Sequence, residues 1–132
     1  MDVVNPIPMN LWLGWTSMIA GALSGSGIGL FFHNEAWLGG YGSFRRRMLR
    51  LGHISFFGLG ILNVLYALSL HDYPISPAYG RLASTGFVIG ALSMPTCCFL
   101  TAWKVGFRHL FPIPVLGVIA GIVGLLGGWF LG

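Results

Sequence analysis

Four apolar stretches divide this chain, at about residues 11–32, 48–70, 82–103 and 113–131, and the only charged side chain inside them is Arg50. Each is close to the ~20 residues that carry an α-helix across the hydrocarbon core of a bilayer. So little chain lies between them that no second domain fits within the 132 residues. Only 8 % of the residues are charged, against roughly 25 % in ordinary soluble domains, and the mean hydropathy is +0.80. The expectation is an all-α integral membrane protein, residues 1–132 forming one four-transmembrane-helix bundle.

The opening segment MDVVNPIPMN has no Lys or Arg. It therefore lacks the basic start of a cleaved signal peptide, and the apolar run that follows is too long for one. The first helix is expected to stay in the mature protein. Arg45, Arg46, Arg47 and Arg50 lie around the first connection, and Lys104 and Arg108 in the third. The other face has Arg81, with Asp2 and Asp72. Because basic residues collect in cytoplasmic loops, both termini are expected on the non-cytoplasmic side. The net charge of +4 then needs no nucleic acid. Anionic lipid head groups near Arg45, Arg46, Arg47 and Arg50 are the expected partners, in a bacterial inner membrane or an equivalent energy-transducing one.

Helices in lipid associate through close backbone approach and interhelical hydrogen bonds, which favours small residues where they touch. Ser17, Gly21, Gly25 and Gly29 recur every fourth residue in the first helix, as do Ala120, Gly124, Gly128 and Gly132 in the fourth, joined there by Gly117 and Gly121. Gly21, Gly25, Gly29, Gly124 and Gly128 are expected to receive other membrane subunits or a second copy. In the third helix Gly86, Gly90, Ser93, Cys97 and Thr101 share an inward stripe at 100° per residue. Pro95 removes a backbone donor from the same helix and predicts a kink near Ala91. In the second helix His53, Phe56, Gly60, Asn63 and Ala67 are expected inside, and Leu51, Ile54, Leu62 and Leu65 toward lipid.

The segment RRRMLRLGHISFF sets His53 just inside the second apolar run. His33 and His109 lie toward the same face, whereas His71 is on the other. Imidazole ligates haem iron and several transition metals, so His53, His33 and His109 are candidate ligands for haem b or a metal. Arg46, Arg50 and Arg108 are candidates to neutralise cofactor carboxylates. The bland alternative has His53 hydrogen-bonded to Ser24 or Ser26 and Asn63 to a backbone carbonyl. Cys97 and Cys98 are adjacent, the wrong geometry for an ordinary bridge, and are expected to pack as small apolar residues.

Residues 103–112, WKVGFRHLFP, resemble in Gly106, Arg108, His109 and Leu110 a segment of the cytochrome b subunit of succinate dehydrogenase. That family's haem-ligating histidine precedes this glycine by four positions. Ala102 stands there, and the acidic residue that usually follows is missing, so the match assigns no family. No carboxylate lies in any of the four runs, which removes the group that a small multidrug exporter uses for proton coupling and leaves no hydrolytic constellation.

Three functions remain. The first is an accessory or structural subunit of a larger membrane complex, of the electron-transfer or energy-converting kind, without catalytic activity of its own. The second is a haem b or metal redox protein using His53 with His33 or His109. The third is a small oligomeric transporter or channel with Asn63, Ser93 and Thr96 near a polar path.

Overall fold

The fold is taken from a computed structural model, which describes residues 6–132; Asp2, used above to orient the chain, lies outside them. Four α-helices follow one another, α1 (Pro6–Leu30), α2 (Phe44–Asp72), α3 (Pro77–Trp103) and α4 (Pro112–Phe130), and there is no strand among the described residues. Short 3₁₀ turns at Trp37–Gly39 and Val105–Leu110 occupy the first and third connections.

α2 outruns its apolar segment at both ends, and α1 and α3 outrun theirs at the start, whereas α4 matches its own to within one residue. The Ser43 side chain accepts from the Arg46 backbone N–H at 3.2 Å and starts α2 within SFRRRM, ahead of the apolar run. Pro77 and Pro112 open α3 and α4, where a residue without an N–H costs nothing. At 29 residues α2 is about 44 Å long. That exceeds the ~30 Å hydrocarbon core, so its arginine-bearing first turns reach beyond it when the rest is spanned. α3 continues unbroken through the buried Pro95.

α2, α3 and the stretch Val105–Phe130 are long and apolar enough to cross a membrane. α1 carries no charged residue over its 25 positions, but with its glycines, serines and tryptophans it is not among those three.

Packing is serial rather than closed about one axis. α1, α2 and α3 touch one another, whereas α4 lies on the far side of α3 and packs almost wholly against that helix. The buried apolar centre is Tyr66 of α2 with Ala83 and Phe87 of α3, and Leu62 and Leu70 of α2 and Leu125 of α4 pack against it. Leu62 therefore departs from the lipid-facing expectation. It sits beside Asn63 on the edge of the inward face, close enough to reach Phe87's cluster. Leu51, Ile54 and Leu65 do point outward.

The glycines explain how closely the helices approach. A Cβ on Gly14 would lie 2.7 Å from the Gly60 carbonyl oxygen, and one on Gly60 would lie 2.8 Å from that of Gly14. On the other side of the molecule, a Cβ on Gly86 would meet the Gly117 carbonyl at 2.5 Å and the Gly121 backbone.

The working track of α1 is Asn10, Gly14, Ser17 and Gly21, and that of α4 is Pro114, Gly117, Gly121, Gly124 and Gly128, all buried. Alternating steps of three and four give the 3.5-residue repeat of left-handed helix pairs. Strict steps of four drift off such a face, which is why Gly29 ends up exposed with nothing within 4 Å. Gly21, Gly25, Gly124 and Gly128, expected to receive partners, are instead filled from within the chain by Phe57, His53, Ala83 and Ile75.

Candidate functional site

Two polar regions stand out in this apolar chain. The first is a cluster where α1, α2 and α3 meet. Asn10 donates to the Asn63 side-chain oxygen at 2.7 Å, and Ser84 donates to the Asn10 side-chain oxygen at 2.6 Å. The Asn63 amide also donates to the Leu59 carbonyl at 2.8 Å and the Phe87 carbonyl at 3.2 Å. Asn10 and Asn63 are both 0 % exposed. Ser17 adds a second tie between α1 and α2 through the Phe56 carbonyl at 3.1 Å. Tyr66 ties α2 to the Gly80 carbonyl of α3 at 2.8 Å. None of these amides and hydroxyls titrates near neutrality, so the cluster supplies hydrogen bonds and no acid–base pair.

Asn63 was legible from the sequence; Asn10 and Ser84 were not. Asn10 falls just ahead of the first apolar run, but it precedes Gly14 by four residues and Ser17 by seven. Extending the small-residue track backwards would have found it.

The second region is the arginine-rich end. Asn34 forms a side-chain turn by accepting from the Ala36 N–H at 3.1 Å. The chain then passes through Leu38, Gly39 and Gly40, with φ of 54°, 87° and 96°; two of these are glycines, for which the left-handed region carries no steric penalty. The loop so formed turns its carbonyls onto Arg46. The Arg46 guanidinium donates to the carbonyls of Trp37 at 2.5 Å, Asn34, and Glu35 at 3.3 Å, and lies 5.2 Å from the Trp37 ring centroid. The residue is 2 % exposed, and these carbonyls with the aromatic face replace the water it has lost. Arg50 repeats this more loosely, 3.3 Å from the Tyr41 carbonyl and 4.3 Å from the Tyr41 ring centroid. A crevice of about 480 Å³ lies between Phe32, Glu35, Tyr41 and Arg46. Arg46 and Arg50, candidates for cofactor carboxylates, thus hold the first connection, while Arg108 is exposed.

The histidines are held apart. His53 Nδ1 is 2.8 Å from the Gly21 carbonyl and 3.5 Å from Ser24 Oγ. A carbonyl can only accept, so Nδ1 is the donor in the bond to Gly21. The ring fills the space over Gly25 and meets Phe57 edge-on at 5.5 Å. His33 is exposed, its Nδ1 2.9 Å from Leu30 O at the end of its own helix, eight residues beyond the glycine that His53 covers. His109 is exposed in the 3₁₀ turn that packs on α3 and α4, whereas the Trp37–Gly39 turn packs on α2.

The structure therefore does not bring His33, His53 and His109 into one site, and among the described residues no three His, Cys, Asp or Glu side chains group as metal ligands. Ser93 and Thr96 bond back to the Ile89 and Leu92 carbonyls of α3 at 2.5 and 2.6 Å, and Asn63 belongs to the cluster above. Cys97 and Cys98 are both free and buried. Comparison with known proteins finds no matching family model, no matching curated protein and no matching solved structure.

Proposed function

We propose that the chain crosses a membrane four times, with both termini on the non-cytoplasmic side, and acts as a small structural or accessory subunit of a larger membrane complex. The energy-transducing setting of that complex stays part of the proposal. One observation carries it: of the buried polar side chains among the described residues, all but Thr101, whose hydroxyl has no partner, are already used to hold the fold together. Asn10, Asn63, Ser84, Ser17 and Tyr66 all bond across helix contacts, and Arg46 folds the first connection. Polar residues in a membrane are functional candidates by default; here their partners are the chain's own atoms. The absence of charge from α1 supports the fourth span.

Gentle detergent extraction followed by size exclusion with light scattering tests the proposal. The expected result is co-elution with another polypeptide in fixed ratio. A 14.3 kDa monomer that alone passes electrons, or carries ion flux in proteoliposomes, would overturn it.

A second reading, a haem or metal on His53 alone, is favoured by the ring's hydrogen bonding. Histidine ligands commonly donate one N–H to a backbone carbonyl and bind through the other nitrogen. His53 donates Nδ1–H to Gly21, and Nε2 has no partner among the described residues. A Soret band that vanishes in His53→Gln would be the mark of that reading.

A further inference from the structure

We propose that the groove between α2 and α4 seats one acyl chain of an anionic phospholipid, with Arg47 holding its phosphate. The proposal rests on the membrane reading above and names a particular lipid site within it.

α2 and α4 are separated by α3, and the gap leaves an apolar groove of about 390 Å³, walled by Leu51, Ile54 and Gly58 of α2 and by Val115 and Ile119 of α4, with Met94 of α3 at its base. Gly58 makes the room, since a Cβ there would meet nothing within 4 Å. Ser55, the one hydroxyl in the lining, returns its proton to the Gly52 carbonyl at 2.7 Å. The groove therefore offers hydrocarbon contact and no polar anchor. From Leu51 to Leu59 it runs about 12 Å along α2, close to the ~15 Å depth of a single leaflet's hydrocarbon.

The mouth supplies the complementary charge. At 100° per residue, Arg47 lies on the same face of α2 as Leu51, Ile54 and Gly58, one turn above them, whereas Arg45 points to the opposite face. Arg47 is exposed and, unlike Arg46 and Arg50, its guanidinium makes no hydrogen bond among the described residues. Neither α2 nor α4 has an acidic residue in its first turn. A cation at the leaflet boundary in line with an apolar channel is the complement of an anionic lipid: phosphate above, acyl chain below.

Native mass spectrometry of the full chain, loaded with equal amounts of dioleoyl phosphatidylglycerol and dioleoyl phosphatidylcholine, tests this. One phosphatidylglycerol should be retained preferentially, by about fivefold, the effect of one arginine at an anionic surface. Arg47→Gln should bring the two lipids near parity, Arg45→Gln should leave the preference unchanged, and Gly58→Leu, which fills the groove, should lower retention of both. Equal losses in Arg45→Gln and Arg47→Gln would mean diffuse charge attraction and overturn the proposal, as would unaltered retention in Gly58→Leu. Resistance of each protein to alkaline carbonate extraction is measured first. A chain released by carbonate contradicts the membrane reading itself, a result separate from any change in lipid preference.

Discussion

The two principal helix contacts in this molecule solve the same problem in opposite ways. Where α3 meets α4, backbone lies on backbone: Gly86 against Gly117 and Gly121, and Gly124 against Ala83. No side-chain hydrogen bond joins these two helices among the described residues. Where α1 meets α2 and α3, glycines still allow approach, but Asn10, Ser17, His53, Asn63 and Ser84 bond across the contact. Inside a bilayer, where lipid is as apolar as leucine, neither contact would gain from a hydrophobic effect between helices. The glycine contact gains dispersion energy from many close atoms and tolerates no added volume. The polar contact is directional, fixing register as well as proximity.

Gly86→Leu should have the largest effect. Its new side chain would have to enter backbone atoms of α4 that cannot move aside, at a cost of roughly 3 kcal/mol, the upper range for overpacking. Equilibrium unfolding in mixed micelles measures it, with Gly29→Leu as the control that should be nearly neutral, because open space surrounds Gly29. Equal behaviour of the two variants would erase the distinction between a packed and an unpacked glycine.

Asn63→Leu comes next. It removes the bonds to Asn10, Leu59 and Phe87 together. Interhelical hydrogen bonds in membranes are worth ~0.6 kcal/mol on average and seldom above ~1.7, and the bonds to Asn10 and Phe87 are the two that cross between helices, so a total of about 1–2 kcal/mol is expected. A loss below about 0.5 kcal/mol, the level of a neutral surface change, would mean the polar cluster merely tolerates burial.

The smallest effect on global stability is expected from Arg46→Gln. Its target is the first connection, and the loss should appear locally, as faster tryptic cleavage at Arg45 and Arg47. An unchanged digestion rate, or collapse of the whole fold, would contradict the role given to Arg46.

Helix number and inward faces were readable because they depend on repeats of apolar and small residues, which every turn reports again. Asn63, Gly60 and Ala67 fell where that periodicity put them. What the sequence hid were single events between distant residues. The Trp37 and Asn34 carbonyls capture Arg46 because an Asx turn and two left-handed glycines fold the loop back, and no local pattern announces that geometry. The candidate histidines share a membrane face in sequence, yet lateral position depends on helix order and packing. His33 ends on its own helix, His53 fills the space at Gly25, and His109 goes with α3 and α4. Gly29 misled for a simpler reason: steps of four approximate a repeat of 3.5 for only a few turns.

The most direct test of the claim that these polar side chains serve the fold is made at His53, the residue with the strongest case for cofactor chemistry. Oxidised and reduced absorption spectra of gently purified wild type and His53→Gln, with unfolding curves of both, compare the two roles. No His53-dependent Soret band is expected, with a stability loss of roughly 0.6–1 kcal/mol, the scale of one interhelical hydrogen bond. A Soret band present in the wild type and lost in a fully folded His53→Gln would contradict that claim and make His53 a ligand.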